Sequence, residues 1–187
     1  MLADEHRRIL LDVAVQSIRH GLAHGGPLPV RAEDFPEPLR ALRATFVTLE
    51  REGELRGCIG MLEATRPLVQ DVAANACAAA FSDPRFPPLR AAELPGLDVH
   101  ISVLSPPEPL EFESETALVQ QLRPGVDGLI LDERGHRGTF RPSVWDSLAS
   151  PWAFLEHLKL KAGLAPGYWS PTLRAWRYTT ESFGDSG

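Results

Sequence analysis

Ile9, Leu10, Val13, Ala14, Ile18 and Leu22 recur at the spacing of one helix face, with charged and polar residues between them. The pattern predicts an amphipathic helix over the first two dozen residues, closed by His20, Gly21, Gly25 and Gly26. The stretch "GGPLPVRAEDFPEP" has turn chemistry, not periodicity, and reads as loop. In "ATFVTLEREGELRGCIGM" two β-type runs flank Arg51, Glu52 and Gly53, the pattern of a hairpin.

Pro67 then opens a run rich in alanine that stops before Asp83 and Pro84. This is a second helix, and Ala73, Ala76 and Ala80 would let it lie close to a sheet. "LDVHISVLSPP" sets Val99, Ile101 and Val103 against His100, Ser102 and Leu104, so it is a strand ended by its double proline. Ser114 can cap a short helix through Gln121. "GVDGLILDERGHRGTF" offers a second hairpin connected by residues Glu133 to His136. Ser150 and Pro151 start a helix with Phe154, Leu155, Leu158 and Ala162 on one face and Gly163 as its stop. The tail "LRAWRYTTESF" closes the sheet as a last strand. Hairpins with helices between them predict an α+β fold built on a mainly antiparallel sheet flanked by helices.

Length bounds this further, because 187 residues suit one domain, or a main domain with a smaller lobe. The mix of 43% apolar and 24% charged residues is that of an ordinary globular chain, and 17 prolines point to many stiff bends. A net charge of -6 argues against a broad grip on nucleic acid or anionic lipid, which relies on many Lys and Arg contacts to phosphate. The alanine-rich run Val72 to Ser82 is too short to span a bilayer, and Asp12 and Gln16 interrupt the apolar start. No membrane role is expected. Cys58 and Cys77 have neither metal spacing nor a disulfide framework, which suits a reducing cytoplasm.

Chemistry concentrates in "GELRGCIGM". If the strand is regular, Leu55, Gly57, Ile59 and Met61 face inward while Glu54, Arg56, Cys58 and Gly60 share the other face. Arg56 and Cys58 are then about 7 Å apart at their bases, near enough for the guanidinium to favour a thiolate. Gly57 and Gly60 would admit a ligand, or mark a bulge or a packing contact. The proline-stiffened corner "SDPRFPPL" offers Arg85 as an anion contact oriented by Asp83, or simply an ion pair that locks the turn. Asp127 before Gly128 is ordinary turn chemistry. The pairs His20/His24 and His157/Lys161 read as solvated helix faces, and Cys77 among alanines as core.

The segments "LRGCIGM", "AAFSDPRFPPL", "ISVLSPPEPL", "PGVDGLIL" and "FLEHLKLKAGL", in this order, resemble the AMMECR domain family, closest to the bacterial members called AmmeMemoRadiSam system protein A. The similarity covers roughly residues 5 to 180, as a single AMMECR domain. It implies an α+β fold with a larger and a smaller lobe and a cleft between them near the LRGCIG strand. It also implies company with a Memo-type protein and a radical-SAM protein. No settled reaction, cofactor or metal comes with it. Carried onto this chain, the resemblance points to Cys58 and Arg56 as candidate catalytic residues. It also points to Gly57, Gly60, Asp83, Arg85 and Phe86 as candidate contacts to a small anionic ligand. Two classes of function follow: an enzyme using Cys58 as a thiolate, or a non-catalytic interaction module using the same surface. Arg141 and Ser143 depart from the family pattern, where an apolar residue and Gln are expected.

Overall fold

Asp4–His24 form the first helix, α1, and Leu10, Val13, Ala14 and Ile18 are buried along the face that the spacing marks. The computed structural model describes residues 1–184. Gly25 ends α1 with φ of 81°, and its N–H bonds back to the Gly21 carbonyl, the left-handed stop that glycine permits. Strands β1 (Thr45–Arg51) and β2 (Glu54–Gly60) form the first hairpin, turned at Glu52 and Gly53, both with positive φ. That is the primed turn whose twist suits paired strands.

The second helix, α2 (Leu68–Phe81), begins one residue after Pro67. Strand β3 (Leu97–Leu104) follows, then the two-residue strand β4 (Glu108–Pro109) and helix α3 (Glu115–Gln121). Ser114 caps α3 by accepting from the Ala117 N–H at 3.1 Å. Ser114→Ala should therefore cost about 1 kcal/mol in urea unfolding. The second hairpin joins β5 (Gly128–Glu133) to β6 (His136–Phe140), and helix α4 (Pro151–Lys161) precedes β7 (Arg174–Tyr178) and β8 (Thr180–Gly184).

The α+β expectation holds, and the strands form two sheets rather than one that the tail closes. One has the order β2-β1-β3-β8 and the other β4-β7-β5-β6, and every pairing with a resolved register is antiparallel. The tail read as one closing strand breaks at Thr179 and contributes β7 to the second sheet and β8 to the first. The chain divides accordingly into two compact units, 1–104 with the C-terminal residues from 181, and 105–180. In the first unit, α1 and α2 cover one sheet face with Val47, Leu49, Val99, Ile101 and Val103 in the shared core. In the second, Leu129, Leu131 and Ala175 from the sheet pack with Phe154, Leu155 and Leu158 of α4, and Trp145 stacks on Phe154 with ring centroids 3.9 Å apart.

A buried polar network lies inside the first unit. Asp71 and Asn75, one turn apart on α2, join Thr45 of β1: Thr45 Oγ1 donates to Asp71 Oδ2 at 2.6 Å, as does Asn75 Nδ2 at 3.0 Å. Arg66 Nε closes it with 2.6 Å to Asp71 Oδ1. All three buried side chains are satisfied, so the network specifies how α2 seats on β1.

Candidate functional site

Strand β2 is an edge strand with a β-bulge. Ladder partners run Phe46/Gly60, Val47/Ile59, Thr48/Cys58 and Leu49/Gly57, then jump to Glu50/Leu55, leaving Arg56 without a partner. The extra residue breaks the regular alternation on which the inward-facing set was based. Leu55 is accordingly exposed at 42%, and Met61, past the strand end, at 40%. Only Gly57 and Ile59 of that set meet the core: Gly57 is buried and Ile59 packs against it.

Arg56 turns to Glu93. Its Nε donates to Glu93 Oε2 at 2.8 Å, and its Nη2 to the Pro87 carbonyl at 2.8 Å and to Glu93 Oε1 at 3.3 Å. Both side chains are close to nine-tenths buried. Arg51 and Arg90 lie 3.7 Å from the same carboxylate, and the Arg56 guanidinium lowers the Glu93 pKa to about 2. Nothing adjacent in sequence announces Glu93, which sits 37 positions from Arg56 in an ordinary "AAELP" turn.

Asp83 holds the other side of the motif. Its carboxylate accepts from the Cys58 N–H at 3.0 Å, from the Arg85 N–H at 3.0 Å, and from Arg85 Nε and Nη2 at 3.1 and 2.8 Å. These donors, Arg85 foremost and the Cys58 N–H next, hold its carboxyl well below the usual carboxylate range. Because the Cys58 N–H lies on the edge of the sheet, Asp83 also occupies a backbone group that would otherwise template a further strand. The Phe86 ring is within cation–π reach of both arginines, its centroid 5.7 Å from the Arg56 guanidinium carbon and 5.5 Å from that of Arg85. The structure thus brings Arg56, Cys58, Asp83, Arg85 and Phe86 into one cluster.

The glycines are accounted for by packing within the unit. A Cβ on Gly57 would lie 2.1 Å from the Ala79 carbonyl oxygen of α2, and one on Gly60 2.4 Å from both the Phe46 ring and the Thr45 carbonyl oxygen. The clearance beside Cys58 is thus filled by helix backbone at Gly57 and by β1 at Gly60.

On the sheet face opposite the helices, Cys58, Thr48 and His100 stand in one cross-strand row. Thr48 Oγ1 donates to Cys58 Sγ at 3.3 Å. His100 is two strands from Cys58, about 10 Å at the usual strand spacing, and its Nε2 is 3.6 Å from Glu50 Oε2. Ser102, on the same face, is hydrogen-bonded to Ser182 at 2.8 Å. The sequence located Cys58 but not Thr48, whose role appears only with the register. Cys77 is buried on α2, and burial raises its pKa.

In the second unit, a groove of about 580 Å³ runs beside β4 and β7, with Leu110, Phe112, Trp169 and Trp176 among its walls. No residue singled out in the sequence lines it. Among the described residues no group of three or more His, Cys, Asp or Glu is arranged to hold a metal, and no helix is long and apolar enough to cross a membrane.

The AMMECR1 family model matches residues 11–183, covering both sheets and the Cys58 cluster. The chain belongs to the AMMECR1 family. A protein of Methanothermobacter thermautotrophicus is 39% identical over 192 aligned positions, covering 100% of this chain and 97% of that one. Protein MK0488 of Methanopyrus kandleri is 35% identical, covering 96% of this chain and 88% of its own length. The crystal structure of uncharacterized protein PH0010 from Pyrococcus horikoshii matches with a TM-score of 0.88 and 32% identity, over 99% of this chain and 94% of that one. The AMMECR1 fold is therefore the α+β arrangement described above.

Proposed function

We propose that this AMMECR1 protein is a binding module whose recognition surface is the sheet face centred on Cys58, Thr48 and His100. We further propose that it acts with the Memo-type and radical-SAM proteins to which its sequence resemblance points. The observation that carries the reading is the neutralisation of both arginines. Glu93 pairs with Arg56 and Asp83 with Arg85, while His100, the one histidine in the strands of this sheet, is two strands from the thiol. Cysteine nucleophiles ordinarily have a base within hydrogen-bond reach, so the row suits recognition better than covalent catalysis. Arg85, with 55% of its side chain exposed, keeps N–H groups beyond those that Asp83 holds and would take a small anion at the rim of this surface.

Crosslinked pull-down from the host, with wild type, Cys58→Ser and Thr48→Arg forms checked for folding by circular dichroism, tests the proposal. Wild type and Cys58→Ser should both capture a Memo-type or radical-SAM protein, and Thr48→Arg should not. Capture of neither by wild type, or a turnover abolished by Cys58→Ser, would overturn it.

A further inference from the structure

A cavity of about 340 Å³ in the second unit lies between the β5–β6 hairpin, through Glu133, Arg134 and His136, and the segment after α4, through residues 163 to 165 and Tyr168. That volume is within the range of small-molecule sites. Glu133 is 1% exposed. Its Oε1 accepts from Thr172 Oγ1 at 2.6 Å and lies 3.4 Å from Arg134 Nε, but its Oε2 is buried with no hydrogen-bond partner. A buried acceptor left unmade is costly, and more so when it carries charge. Glu133 is itself one of the residues that line the cavity, so this unpaired oxygen belongs to its wall.

The segment after α4 forms the other wall, and there the N–H groups of Ala162, Gly163 and Leu164 cap the carbonyls of Leu158, Leu160 and Lys159. The helix end is thus satisfied internally, and the unpartnered Glu133 oxygen is the group that favours a positively charged N–H donor. Leu164 and Tyr168 supply apolar surface, and Arg134, with 75% of its side chain exposed, stands at the rim in an ion pair with Glu133 Oε1.

We propose that this cavity binds a small primary ammonium compound with a short apolar chain, its ammonium donating to Glu133 Oε2. A free amino acid and a simple amine share that chemistry. In the amino acid, the carboxylate would pair with Arg134.

Amide NMR of the full chain, titrated separately with n-propylammonium, L-valine and propionate, tests the site. Both ammonium probes should shift the amides of Gly163 and Leu164, and propionate should not. Glu133→Gln, which keeps the shape and removes the charge, should weaken both by about tenfold or more, as for a lost charged hydrogen bond. Arg134→Ala, which also removes a cation beside Glu133, separates the sources: a loss of valine binding relative to n-propylammonium marks an amino-acid site, and parallel changes in the two mark a simple amine. Absence of shifts with either ammonium probe, or equal affinity in a folded Glu133→Gln protein, would overturn the proposal.

Discussion

Glu93→Ala should destabilise the first unit by about 3 kcal/mol, the low end of the range for removing one partner of a buried ion pair. Arg56 would keep its bond to the Pro87 carbonyl and its place against Phe86, but would lose both bonds to the carboxylate. Arg51 and Arg90 would then face Arg56 without the anion that all three surround. Hydrogen exchange should accelerate first in β2, whose bulge this pair holds. The double replacement Arg56→Met with Glu93→Leu should recover much of the loss, since an apolar pair of similar volume avoids the desolvation cost. If Glu93→Ala exchanges like wild type in β2, the pair does not anchor the bulge.

The same carboxylate sets a pH window. Glu93 has a folded pKa lowered to about 2, against 4.5 for an unperturbed glutamate. Its contribution is therefore complete above pH 4.5 and is lost as pH falls through about 2. Asp83, lowered further mainly by Arg85, loses its contribution over the same acid side of neutrality. Both carboxylates fasten segments to β2, so strong acid should loosen that edge.

The elements were legible in the sequence because their signals are local. Helical spacing gave α1, a turn with Gly53 gave the first hairpin, and Ser114 and Ser150 marked helix starts that are hydrogen-bonded as caps. The division into two sheets was not legible, because "LRAWRYTTESF" reads as one β-type run and the break at Thr179 is set by which partners lie on either side. The bulge at Arg56 was missed for a related reason: alternation assumes a regular ladder, and the missing partner is a property of the pairing with β1. Cys58, Asp83 and Arg85 were found as residues, yet their mutual bonds depend on the corner after α2 folding back onto the strand. Glu93 and Thr48 had no sequence signal at all, being ordinary residues made important by distant partners.

Gly57→Ala is expected to be among the most damaging single replacements in the chain. The added methyl would be placed 2.1 Å from the Ala79 carbonyl oxygen, closer than any stable carbon–oxygen contact, and 3.1 Å from that residue's carbonyl carbon. Both atoms are backbone of α2, so no side chain can rotate away. The helix must move as a body, and it is held by Asp71 and Asn75 on Thr45 and by its apolar face in the core. Overpacking ordinarily costs about 1–3 kcal/mol, and a clash with backbone belongs at or above the upper end of that range. Gly53, by contrast, has open space around it but a φ of 79°, so Gly53→Ala should lose only the backbone strain of a left-handed alanine, about 1 kcal/mol. Comparing the two variants by urea unfolding separates close approach from conformational freedom. Equal losses would mean that α2 yields at Gly57, and that the glycine beside Cys58 is there for something other than the helix.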